Sequence, residues 1–160
     1  MARIDIKLST QSAELHDDQG GLVARYLISS SRNGAGERMG SYCTPRGLHV
    51  IRAKIGAGQP SNTVFVGRRP TGEIYDKNLA AQYSERDWIL TRILWLSGCE
   101  PEFNRWGAVD TMRRYIYIHG TPDNVTLGIT GSIGCIRMSN NNLIELFDRV
   151  KCGDQVFIQE

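Results

Sequence analysis

Short alternations of apolar and polar residues dominate the chain. In RIDIKL (3–8), Ile4, Ile6 and Leu8 recur at every second position between charged residues, the pattern of a half-buried strand. DDQGG (17–21) predicts a turn and LVARYLIS (22–29) a second strand, so these two strands are expected to form an opening hairpin. SSRNGAGERMG (30–40) has no apolar period and reads as a loop, and TPRG (44–47) reads as a turn. LHVIRAKIG (48–56) alternates again, with Leu48 and Val50 expected inward and Ala53 and Ile55 rejoining them after a slip or bulge. GAGQPSN (56–62) predicts a loop and TVFVG (63–67) a short strand.

The apolar positions of SERDWILTRILWLSG (84–98) fit a helix or strands about equally. Its β-branched and aromatic residues favour a strand around 89–96. CEPEFNRWGAVD (99–110) reads as a loop. RRYIYIHG (113–120) reads as a strand in which Tyr115 and Tyr117 alternate with Ile116 and Ile118, ending at His119. One helix is clear. Ser139 or Asn140 supplies an N-cap, Leu143, Ile144, Leu146, Phe147 and Val150 form one apolar stripe, and Gly153 is the expected C′ stop. QVFIQ (155–159) closes the chain as a strand. No repeat, low-complexity segment or linker interrupts it, so residues 1–160 predict a single mainly β domain with one helix just after Cys135.

Composition narrows the class. The 160 residues, 41% of them hydrophobic, suffice for one sizeable core. Nineteen basic and 17 acidic residues give a net charge of +2, and no long basic run points to nucleic acid. No apolar run approaches the roughly 18 residues that span a bilayer. MARIDIKLST has charges where a leader's apolar segment would lie, so a cytoplasmic location is expected. Cys43, Cys99, Cys135 and Cys152 include no CxxC pair; all four are expected as free thiols, three of them packed as small apolar residues.

The candidate chemistry lies in HGTPDNVTLGITGSIGCIRM (119–138), where one histidine and one cysteine stand sixteen positions apart. A thiol attacks a carbonyl as thiolate and is barely ionised near neutral pH, so a neighbouring imidazole must take its proton and later return it to the leaving amine. Gly120, Gly128, Gly131 and Gly134 allow the intervening loop to fold back, with positive φ where needed. Backbone N–H groups of Ile133, Gly134 and Cys135 are candidates for an oxyanion hole, and Arg137 for a bidentate carboxylate anchor. A His and a Cys at this spacing can equally be unrelated loop residues. A zinc site needs three or four ligands, and only His16 and His49 remain as further imidazoles, neither placed by a motif.

HGT, a spacer and SIGCIRM together resemble the signature of the L,D-transpeptidase catalytic domain (YkuD) family. TPRGLHVI (44–51) is similar to the family's TP-x-G segment, WILTRILWLSG and RRYIYIHGT to the stretch leading into its histidine, and the closing helix and strand also fit. The resemblance implies a β-sandwich or barrel domain with Cys135 as nucleophile, His119 as base and the Gly120 carbonyl as third member. It also implies that Ser132 braces the loop and that Arg137 faces the pocket. No metal or cofactor is implied. Many members carry histidine where this chain has Ile133, which removes a polar contact but not the triad. Trp106, in its glycine-flanked loop, is a candidate lid, and Tyr117 a candidate cleft residue. Trp88 and Trp95 are expected in the core or pocket wall.

The implied substrate is a peptidoglycan stem tetrapeptide or muropeptide. The thiolate attacks the carbonyl of its third residue, commonly diaminopimelate, and expels the terminal D-alanine. Water as acceptor gives L,D-carboxypeptidation; an amine of a second stem gives a cross-link. A cytoplasmic enzyme meets soluble muropeptides rather than the polymerised wall, so trimming during cell-wall recycling is the expected role. A periplasmic cross-linker and a catalytically silent muropeptide-binding module stand as alternatives. Carbapenem-type β-lactams are expected inhibitors. An activated thiolate at Cys135 is expected to alkylate with iodoacetamide well below pH 8.

Overall fold

A computed structural model describes residues 1–160. Strand β1 (Arg3–Lys7) buries Ile4 and Ile6 completely and turns its charged residues outward, as the alternation predicts. The expected hairpin partner is not the next strand. β2 (Ser12–His16) intervenes, setting Leu15 opposite Ile4 and Ala13 opposite Ile6. β3 (Leu22–Leu27) pairs with β2 alone and forms an outer edge of the sheet. SAELH escapes a pattern reading because only two of its five residues are apolar. The turn at 17–21 does form, with Asp17 Oδ1 accepting from the Gln19 and Gly21 N–H groups.

β4 (Gly47–Ile55) carries the expected irregularity, between Ile51 and Ala53, but its inward face is corrected: His49 and Ile51 are buried, while Leu48 and Val50 lie half-buried on the other face. β5 (Thr63–Val66) and β6 (Arg69–Ile74) make a hairpin across Gly67 and Arg68. α1 (Lys77–Gln82) follows, capped by Asp76 Oδ1 on the Leu79 N–H at 2.7 Å. Neither β6 nor α1 shows an apolar period, because neither buries a face. β7 (Leu90–Gly98) is the central strand, pairing with β4, β5 and β8 (Tyr117–Gly120). The expected strand over 113–120 forms only in its second half. The Asp110 carboxylate accepts from the Trp106 and Arg113 N–H groups and winds the preceding residues into turns, and Tyr115 adopts φ +57°.

After Cys135 the chain does not enter the helix directly. β9 (Ile136–Met138) first pairs parallel to β8, and α2 (Asn140–Arg149) follows, with Ser139 as N-cap. The helix ends at Val150, whose carbonyl accepts from Lys54 Nζ at 2.7 Å. Gly153 is therefore not its C′ residue; it turns the chain at φ +93° into β10 (Gln155–Gln159). β10 lies between β1, parallel, and β4, antiparallel. The ten strands make one curled mixed sheet, a half-barrel. α2 packs Leu143, Leu146 and Phe147 into the main core, which gathers nineteen buried apolar side chains from both ends of the chain. On the opposite face of β7 and β8, Phe65, Ile93 and Tyr117 form a smaller cluster against which Cys135 packs. No helix is long and apolar enough to cross a membrane. Of the cysteines, Cys152 is exposed rather than packed.

Candidate active site

Parallel pairing of β8 with β9 brings the two ends of the glycine-rich loop together. Ile118 lies opposite Ile136, His119 opposite Arg137 and Gly120 opposite Met138. Side chains alternate along a strand, so Ile118, Ile136 and Met138 enter the core while Tyr117, His119, Cys135 and Arg137 share the other face. His119 and Cys135 are diagonal neighbours across the pair, within side-chain reach. Gly128 and Gly134 supply positive φ in the loop, at +85° and +134°; Gly120 and Gly131 do not need it.

The His119 ring is buried, and its Nδ1–H donates to the Gly120 carbonyl at 2.7 Å. That bond fixes the tautomer and leaves Nε2 unprotonated, ready to accept. Burial holds His119 below the usual imidazole range, against the opposing pull of the Gly120 carbonyl. The Cys135 sulfur accepts the Tyr117 N–H at 3.3 Å and faces the Tyr115 carbonyl at 3.4 Å. Burial pushes the thiol up to about 12, only partly countered by the Tyr117 N–H and the positive charges of Arg137 and Arg114. Desolvation thus favours the neutral thiol and the neutral imidazole over the ion pair, the opposite direction from the low-pKa thiolate expected.

Ser132 is buried, its hydroxyl donating to the Cys135 carbonyl at 2.5 Å and accepting the Gly134 N–H at 3.2 Å. It ties the loop and has no face toward a substrate. The same bond engages one of the three expected oxyanion donors, Gly134. The N–H groups of Ile133 and Cys135 have no protein partner. Thr44, from TPRG, holds the loop from behind by donating to the Gly134 carbonyl at 3.0 Å.

Cys135 opens into a cleft of about 590 Å³ walled by Tyr42, Arg68, Asp87, Tyr115, Tyr117 and Ile133. Tyr117 takes its expected place. Arg137 does not line the cleft; its Nη2 donates to Asp87 at 3.2 Å, so its charge is already paired. Trp106 lies outside the cleft, its indole exposed under the Arg105 guanidinium, and does not act as a lid in this arrangement. Trp95 packs behind the cleft wall against Tyr115 and Tyr117, while Trp88 packs on Tyr75. Arg68 and Asp87 carry no sequence signal, because each reaches the cleft from a segment remote from the motif; Arg114 stands in RRYIYIHG itself but reads there only as a strand residue, because its turn is set by Asp110. No group of three or more His, Cys, Asp or Glu side chains is placed to hold a metal ion.

Beneath the site lies a buried polar network. Asn140 Nδ2 donates to the Thr121 carbonyl and Asn62 Oδ1, while Thr91 Oγ1 donates to Asn140 Oδ1 at 2.6 Å. The first residue of α2 thereby holds the chain just past His119 and Gly120.

Among solved structures, an L,D-transpeptidase from Mycobacterium smegmatis aligns with 99% of this chain at TM-score 0.58 and 16% identity. One from Xylanimonas cellulosilytica aligns at 0.60 and 18% identity. L,D-transpeptidase 3 from Mycobacterium tuberculosis, in complex with a faropenem-derived adduct, aligns at 0.60 and 16% identity, each again over 99% of this chain. This chain spans only 58% to 60% of those chains. At such identities the likeness shows the fold. No curated protein matches. The sequence profile of the L,D-transpeptidase catalytic domain (YkuD) matches residues 1–158, and the chain belongs to that family.

Proposed function

We propose that the protein is a cysteine acyltransferase acting on peptidoglycan stem tetrapeptides, and that water is its acceptor, making it an L,D-carboxypeptidase. The observation that carries the reading is the shared face of β8 and β9, where a thiol and a tautomer-fixed imidazole stand as diagonal neighbours beside unpartnered N–H groups. His119 Nε2 takes the Cys135 proton as the sulfur attacks the carbonyl of the third residue. The oxyanion meets the Ile133 and Cys135 N–H groups, whose contribution grows as charge develops. Collapse breaks the C–N bond, His119 returns the proton to the leaving D-alanine amine, and a thioester remains. Water, deprotonated by His119, then releases the tripeptide and restores the thiol. Neutral partners at rest suit this sequence, since proton transfer accompanies attack rather than preceding it.

The cleft of about 590 Å³ has the volume of a site for one ligand and accommodates a donor stem with water as acceptor. Mass spectrometry of the protein with soluble disaccharide-tetrapeptide, beside Cys135→Ala and His119→Ala, tests the proposal. Loss of one D-alanine without a dimer is the expected result. A cross-linked dimer replaces water by an amine, and no Cys135-dependent product overturns the reading. A structural neighbour is in complex with imipenem; we expect imipenem to add its mass to Cys135 of this chain.

A further inference from the structure

Arg68 occupies the second position of the two-residue β5–β6 turn, at φ +64° after Gly67 at +56°. Left-handed backbone is unusual for arginine, and here it swings the side chain back over the cleft. The guanidinium carbon lies 4.9 Å from the Trp95 ring centre and 4.7 Å from that of Tyr115. Nη1 donates to the Tyr117 hydroxyl at 3.0 Å. Two aromatic faces and a phenol thus fix the group, yet no carboxylate pairs with it; its one protein hydrogen bond leaves most of its five donors open.

The other cationic groups near the sulfur are engaged. Arg114 donates to the Gly36 and Cys43 carbonyls and to Ser41 Oγ. Arg137 lies outside the cleft lining with its charge paired to Asp87 through Nη2, although its buried Nε has no partner. Arg68 is the cleft guanidinium with donors to offer, held rigid before anything binds. A preorganised fork of this kind selects a carboxylate, because little freedom is lost on binding.

Tyr117 sets the distance. Its N–H rests on the Cys135 sulfur and its hydroxyl on Arg68, so one tyrosine residue bridges the nucleophile and the guanidinium. An acyl group at the sulfur spans the same gap when its side chain is about as long as tyrosine's and ends in a carboxylate. Diaminopimelate has such a side chain; lysine is as long but ends without the carboxylate. We propose that Arg68 is a specificity-determining residue that binds the side-chain carboxylate of the third stem residue and selects diaminopimelate over lysine. The inference rests on the stem-peptide reading above.

The test compares kcat/KM on diaminopimelate- and lysine-containing tetrapeptides for the wild type, Arg68→Gln and Arg68→Lys. It adds binding of both peptides to Cys135→Ala and to the Cys135→Ala/Arg68→Gln double variant, followed by Trp95 fluorescence. The wild type is expected to favour the diaminopimelate peptide by tenfold or more. Arg68→Gln should erase that preference, chiefly through KM and with a much smaller loss on the lysine peptide, and Arg68→Lys should restore part of it. Equal losses on both peptides, or none, overturn the assignment while the stem-peptide reading stands. No turnover and no binding of either peptide overturns both.

Discussion

Replacing Gly120 by alanine separates the geometry of the proposed active site from the general stability of the sheet. A Cβ at this position lies 2.5 Å from the Leu90 carbonyl oxygen of the paired strand and also collides with Asn140 Oδ1. Carbon–oxygen contacts settle near 3.3 Å, so β7 and β8 must part by roughly 0.8 Å. Rotating Asn140 away does not help, because the carbonyl is backbone and the rotation breaks the bonds to Thr91, Asn62 and Thr121. Overpacking of this kind costs about 1–3 kcal/mol. For a domain of this size that lowers Tm by about 2–12 °C. Gly120 also offers the carbonyl that orients His119, at 2.7 Å. A displacement approaching 1 Å at that bond lowers kcat/KM by about 10²-fold. Gly98→Ala is the control: its Cβ collides with the Asn104 carbonyl at the far end of β7, away from the site. Thermal unfolding by circular dichroism and D-alanine release on the soluble tetrapeptide are measured for both variants. The two are expected to lose similar stability, with the large loss of turnover in Gly120→Ala alone. Turnover of Gly120→Ala within threefold of wild type, or an equal loss in Gly98→Ala, refutes the reasoning.

His49 is fully buried between the Gly47 carbonyl and Thr111 Oγ1, and burial lowers it to about 4 from an ordinary 6.5. The unfolded chain binds its proton first, so this contribution is complete above pH 6.5 and is lost as the pH falls toward 4, by about 3 kcal/mol. Urea unfolding at pH 7 and 4.5 should show the loss, and His49→Gln should flatten it; an unchanged slope refutes the assignment. With Cys135 near 12, its alkylation by iodoacetamide should rise about tenfold per pH unit from 7 to 10, behind exposed Cys152 at pH 7. Peptide mapping that finds a plateau near neutrality instead reveals a standing thiolate. Leu143→Ala empties a fully buried position under α2 and should cost about 2–5 kcal/mol in denaturant unfolding; a loss below about 1 kcal/mol shows that the helix packs otherwise.

Legibility in the sequence followed burial. β1, β7, β10 and α2 announce themselves because each puts apolar side chains into one core at a regular spacing, whereas β4 sends only Ile51 there and its visible alternation of Leu48 and Val50 marks the half-buried face. β6 and α1 bury no side chain, and β9 is three residues long, so no period reports them. RRYIYI alternates as a strand, yet Asp110 captures its first half into turns, a contact from outside the window that pattern reading spans. In the site, the histidine and cysteine were visible because the chemistry demands those residue types beside flexible glycines. The pairing of Arg137 with Asp87 and the arrival of Arg68 over Trp95 depend on loops remote in sequence.

The place of β10 has a consequence for biosynthesis. The last strand of the domain is the one that joins β3–β2–β1 to β4–β7–β8, and it does so by lying parallel to the first. Until Val156 and Ile158 emerge from the ribosome, the nascent chain holds two sheet fragments with Ile4 and Ile6 on an open edge. Folding of the whole unit must therefore wait until residues 155–159 are available, and the exposed edge is the stage at which a chaperone has the most to cover.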